Sequence, residues 1–167
     1  VYKRQGNIAN EPERAKSINF SFPYTFIEST FLVRKHLNFN TIKDIDNEGI
    51  RIAVAERSAY DLWLTENIKK ANLIRAKSID ESFSIFQEKQ YEVLAGLRPK
   101  LSDDIKKTED CLILDESFTY INQCIGSKLN NIEAANFINK FIKKNSSYAF
   151  NAWCTWNTQY KYDVKFF

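Results

Sequence analysis

The chain has 167 residues, of which 44% are hydrophobic and 27% charged. These are the proportions of one soluble domain or two small lobes, and they exclude a disordered or membrane-spanning chain. Its 24 basic and 21 acidic residues leave a net charge of +3, too balanced and too scattered to predict nucleic acid as a partner.

The chain contains no methionine and is read as a fragment whose start, with any targeting segment, is missing. Asn7 to Tyr24 combines a turn bearing carboxylates, a proline, Arg14 and a short apolar piece. Alone, Arg14 reads as a surface arginine paired with Glu11 or Glu13, or as a fork that grips a carboxylate. Phe31 to Val33 is β-favouring and bounded by Arg34 and Lys35, so it predicts a strand. His36, the only histidine, has no catalytic company and is expected as a surface or strand-end residue. Thr41 precedes a single-turn helix.

Residues 50–55, a continuous apolar run, predict a strand buried on both faces. A tight loop, Glu56-Arg57-Ser58-Ala59, leads into a helix with Tyr60, Trp63, Leu64 and Ile68 on one stripe. Residues 71–76 predict the next strand, and Ser78 with Glu81 forms a capping box opening a helix with Ile79, Phe83 and Phe86 inward. A strand at residues 91–96 leaves sharply through Leu97-Arg98-Pro99, a polar helix begins at Ser102, and strands follow at residues 111–114 and 118–125. Residues 131–142 predict an amphipathic helix with Ile132, Ala135, Phe137, Ile138 and Phe141 on or near one face. Cys111 and Cys124 are expected as small core residues, and the three cysteines (with Cys154) form neither a disulfide framework nor a metal spacing.

The alternation from residue 50 to residue 114 predicts a parallel α/β sheet covered by helices on both faces. Ligands of such sheets sit beyond the carboxyl ends of the strands, here the loops at residues 56–60 and 96–99. No glycine-rich phosphate loop is present, which disfavours nucleotides. Residues 148–167 show no helical or strand period. They and residues 1–5 are read as non-native sequence, with an aromatic tail docking on a partner as the alternative.

Residues 10–24, NEPERAKSINFSFPY, resemble the TPERAKxVDFSxPY signature of family 3 solute-binding proteins, the extracytoplasmic receptors of polar amino-acid ABC importers. The block GIRIAVAERSAYDLWL at residues 49–64 is similar to that family's strand–loop–helix segment, in the same order. The resemblance runs from about Gly6 to about Ile142. It implies an α/β type 2 periplasmic-binding-protein fold, two lobes joined by crossover strands with the ligand between them and lobe 1 incomplete. Residues 1–34 would end lobe 1, residues 35–115 form lobe 2, residues 116–147 hold the second crossover and a lobe 1 helix, and residues 148–167 form the tail.

The same resemblance implies a periplasmic, non-enzymatic and monomeric receptor without cofactor or metal. It would bind a small carboxylate-bearing solute and deliver it to a membrane permease. Arg14 matches the arginine that grips the ligand carboxylate, with Asn7 and Ala9 nearby. Ser58, Ala59 and Tyr60 match the lobe 2 loop that meets the same group. Ser58 also reads as a plain helix cap, and both roles are compatible. Leu97 stands where the family carries an aspartate for the ligand ammonium. With Arg98 beside it, the site is expected to suit an anion better than a zwitterion. The alternatives are a cyclohexadienyl dehydratase-like enzyme, for which Glu56 is the only loop candidate as acid or base, and the ligand-sensing domain of a receptor.

Overall fold

The computed structural model describes residues 8–10 and 12–157. The chain divides into two units: unit 1 comprises the residues up to Ile27 and those from Ile121, and unit 2 is Glu28–Tyr120. In chain order, β1 (Ile8–Ala9), α1 (Pro12–Ala15) and β2 (Ile18–Phe20) precede β3 (Thr25–Arg34). Next come β4 (Arg51–Ala55), α2 (Ala59–Asn67), β5 (Asn72–Ala76), α3 (Ile79–Glu88), β6 (Val93–Leu97) and α4 (Arg98–Asp104). The chain closes with β7 (Cys111–Ile113), β8 (Thr119–Cys124), β9 (Gly126–Lys128) and α5 (Ile132–Asn157). It passes from one unit to the other twice, within β3 and within β8.

Unit 2 is a sheet in the order β5, β4, β6, β3, β7. β4 runs parallel to both β5 and β6, whereas β3 is antiparallel to β6 and to β7. Ile52, Ala53 and Val54 are fully buried, as expected for a strand covered on both faces. The core gathers Leu32, Ala53, Phe83, Phe86, Leu94, Leu101 and Cys111, each larger apolar side chain contributing about 1.5–3 kcal/mol of burial. Gly96 lets the end of β6 approach α4, since a Cβ there would lie 2.9 Å from Leu101 Cδ2.

Several expectations are corrected. β7 does not sit beside β6 but pairs antiparallel with β3, because β3 already occupies that edge of β6 and stands between β7 and the parallel strands. The helix after β6 starts at Arg98, four residues before Ser102, with Pro99 in its first turn, a position where the missing N–H costs nothing. The Ser78 hydroxyl does accept the Glu81 amide at 3.0 Å, but the Glu81 carboxylate accepts the amide of Lys77, not that of Ser78. Ile79 is exposed while Phe83 and Phe86 are buried. His36 lies exposed in a 3-10 turn directly after β3, and Thr41 caps a single turn through Asp44.

Asp46 was not singled out by pattern, yet its carboxylate accepts the amides of Lys69, Lys70 and Ala71 at 2.7–3.1 Å. This ties the turn before β4 to the entrance of β5. Beside it, Arg51 forms a chelate with Glu92: its Nη2 donates to Oε1 at 2.6 Å, and its Nε and backbone N both donate to Oε2 at 2.9 Å. These bonds hold the Glu92 carboxyl below the ordinary glutamate range. A carboxyl depressed in the folded state stabilises the fold fully above its unfolded pKa, and that stabilisation fades as pH falls through the folded value. Stability is therefore expected to decline on acidification below about pH 4.5. Glu92→Gln should flatten that part of the profile, and an unchanged acid limb in denaturation curves would refute the assignment.

In unit 1, β1 pairs antiparallel with β8, and β2 with β9. Phe22 donates its amide to Asn139 Oδ1 on α5 at 2.8 Å. Ala135, Ile138 and Ile142 of α5 are half-buried, but Ile132, Phe137 and Phe141 are exposed. The apolar positions circle more than one face of this helix, so they do not all turn inward as expected. α5 also continues to Asn157, so residues 148–157 are helical despite the lack of a visible period. Residues 1–5 and 158–167 lie outside the described residues. No described helix is long and apolar enough to cross a membrane.

Candidate functional site

The parallel strands of unit 2 end along one edge. Ala55 is level with Ala76 of β5, and Ala53 with Leu94 of β6, so the loops after β4, β5 and β6 emerge side by side. Such an edge is the usual ligand face of a parallel sheet.

The loop after β4 is shaped by one buried carboxylate. Asp61 is only 3% exposed. Its Oδ2 accepts the Arg57 amide at 2.9 Å and its Oδ1 accepts Arg75 Nε at 3.0 Å. Arg57 adopts a left-handed conformation with φ of 58°, which is unfavourable for a non-glycine residue and is held here by that amide bond. Ser58 is the N-cap of α2, its Oγ accepting the Asp61 amide at 3.1 Å. The amides of Ala59 and Tyr60 have no acceptor among the described residues. First-turn amides of this kind, at the positive end of the helix dipole, favour an anion. Burial pushes the Tyr60 hydroxyl above the ordinary phenol range, offset in part by its hydrogen bond with Ser58, so it remains a neutral group at pH 7.

At the end of β6, Leu97 precedes α4 and supplies no side-chain cap. Arg98 turns toward its own fold. Nε donates to Glu28 Oε2 at 2.5 Å, Nη1 to Leu114 O at 3.1 Å, and Nη2 to Asp115 O at 2.8 Å and Ser117 Oγ at 3.1 Å. Ser117 Oγ donates to the same Glu28 oxygen at 3.1 Å. Ser58, Ala59, Tyr60 and Arg98 thus share one edge of unit 2.

The other candidate residues belong to unit 1. Ala9 lies in β1 opposite Gln123. Arg14 lies in α1, exposed, where its carbonyl accepts the Ser17 amide at 3.0 Å. Asn7 lies outside the described residues. The remainder of the signature has a structural use: the Ser21 amide donates to Ile125 O, the Ile125 amide to Ser21 Oγ, and the Tyr24 amide to Gln123 O, at 2.9–3.1 Å. Among the described residues no cluster of histidine, cysteine, aspartate or glutamate could hold a metal.

No family model matches the chain. A glutamine-binding protein from Geobacillus stearothermophilus is 25% identical over 122 residues, which cover 73% of this chain and 46% of that protein. Among solved structures, a binding component of an ABC transporter from Wolinella succinogenes, complexed with lysine, aligns at a TM-score of 0.75 and 19% identity, covering 84% of this chain and 62% of that one. An ancestral amino acid-binding protein, a precursor of cyclohexadienyl dehydratase, aligns at 0.71 and 19% over 88% and 66%. The fold is that of the amino-acid ABC-transporter substrate-binding proteins. Holo ArgBP from T. maritima, at a TM-score of 0.68 and 18% identity over 83% and 61%, shows the same architecture. The α/β periplasmic-binding-protein fold expected from the signature is therefore present. The chain spans about half the length of the glutamine-binding protein and about two thirds of these structures.

Proposed function

We propose that the protein is an extracytoplasmic solute-binding protein that captures a small carboxylate-bearing solute and delivers it to an ABC permease. The observation that carries this reading is the loop after β4, where a buried aspartate props open two first-turn amides beside Ser58 at the carboxyl edge of a parallel sheet. That arrangement recognises a carboxylate through backbone donors and needs neither metal nor cofactor. Arg14 of unit 1, exposed on a short turn of the signature segment, is proposed as a charged contact of the solute, with Asn7 and Ala9 just ahead of that segment. The protein acts as a monomeric periplasmic receptor.

A binding role is also supported by Glu56. Its carboxylate is half-exposed and lies 3.8 Å from Arg57 Nε, whereas a general acid or base would be desolvated and aimed at a reacting group. The curated relative is a glutamine-binding protein and two of the structures were solved for lysine- and arginine-type receptors. Here Leu97 leaves a ligand ammonium without a carboxylate, so the solute is proposed to be an anion. A thermal-shift screen of the full-length protein against amino acids, dicarboxylates and keto acids tests this, because a ligand that binds only the folded state raises its melting point. Anionic acids should raise it, and lysine or arginine should not. No shift with any small carboxylate would overturn the reading.

A further inference from the structure

We propose that Arg98 is a positioning residue directed away from the ligand, and that the edge it frames accepts a monocarboxylate whose remainder is uncharged. This deepens the carboxylate-receptor reading and rests on it. In sequence, an arginine beside Leu97 at the mouth of β6 invites the opposite view, that it supplies a second cationic contact and favours a dicarboxylate.

The geometry argues against a second contact. A guanidinium has five N–H donors, and Arg98 spends four hydrogen bonds on Glu28, Leu114, Asp115 and Ser117. Its side chain is 20% exposed and that of Glu28 15%, so the ion pair is largely withdrawn from water and its net charge is zero. Reaching for a ligand would leave the Glu28 carboxylate without its cation and the Asp115 carbonyl without its donor, the costly way to break a partly buried pair. Glu28 is likewise occupied: its Oε2 accepts from both Arg98 and Ser117, and its charge is already answered, so it does not replace the missing ammonium acceptor at Leu97.

The other cations near this edge are Arg75, which bonds Asp61 and Thr65, Lys100, which bonds Asp80 at 3.1 Å and Asp104 at 2.6 Å, and two exposed ones, Arg57 beside Glu56 and Lys77. Solvated charges of this kind contribute little and are screened by salt. The α2 amides thus stand near an apolar Leu97 and a Glu28–Arg98 pair whose charges already answer each other. A ligand ammonium or a second carboxylate would meet no partner there.

Matched short-chain triplets test the inference by calorimetry on the full-length protein, for example 2-oxovalerate, norvaline and 2-oxoglutarate. The monocarboxylate is expected to bind about tenfold or more tighter than its two partners. In Arg98→Lys, affinity for all members should fall by one common factor, leaving their ratios unchanged, since a positioning residue touches none of them. Glu28→Gln serves as the second variant and should behave in the same way. A dicarboxylate preference that disappears selectively in Arg98→Lys would make Arg98 a ligand contact and overturn the proposal. Preference for norvaline, or a screening hit that is not a monocarboxylate, would overturn the ligand class and leave the receptor reading standing. Failure of every solute in the screen would overturn both.

Discussion

Arg98→Leu is expected to destabilise the folded protein by about 3–5 kcal/mol, the usual consequence of removing one partner from a largely buried ion pair. The substitution leaves the Glu28 carboxylate 15% exposed and without its cation, and strips hydrogen bonds from Leu114 O and Asp115 O. Thr30 Oγ1 still donates to Leu114 O at 3.0 Å and to Glu116 O at 2.7 Å, so the segment after β7 should loosen rather than detach. Urea denaturation measures the change. A loss below about 1 kcal/mol would mean that the cluster is no more than a surface pair. Arg98→Lys should fall between the two, because lysine keeps the charge but not the planar fork that reaches four acceptors at once.

Arg14→Ala carries the other large effect, and it falls on binding instead of folding. Arg14 is exposed on a four-residue turn, so the melting point of the ligand-free protein should hardly move. Affinity for the solute should fall by about 2–5 kcal/mol, because a carboxylate enclosed by the protein would lose its charged partner. Calorimetry with the ligand found by screening decides the matter, and unchanged affinity in Arg14→Ala would remove Arg14 from the site. The two variants therefore test separate roles, Arg98 in the frame and Arg14 as the proposed contact of the solute carboxylate.

Much of the fold was legible because its signals are local. The apolar run of β4, the Ser58 and Ser78 caps and the inward Phe83 and Phe86 are all set by neighbours within a few residues. Where local signals conflicted, the reading failed. Pro99 looks like a break yet occupies the first turn of α4. The phenylalanines of α5 look like one inward stripe, yet Phe137 and Phe141 face solvent. The candidate site divided along the same line. That a loop with free amides would follow β4 could be read from a strand running into a capped helix. Asp61, which braces that loop through Arg57 and Arg75, read only as one more polar position on α2.

The sequence alone thus determined the strand–helix alternation of the α/β core with its parallel β4, β5 and β6, the edge at which those strands end, and a signature segment bearing Arg14. These follow from periodicity and from residue order, which survive in one dimension. Only the tertiary structure decided what Arg98 is for. Its partners, Glu28 and Ser117, lie 70 and 19 residues away in the chain, and they meet it because β3 lies antiparallel beside β6. An arginine that looked available to a ligand is engaged with the frame, since leaving a partly buried carboxylate without its cation and the Asp115 carbonyl without its donor costs more than one new contact at the rim returns.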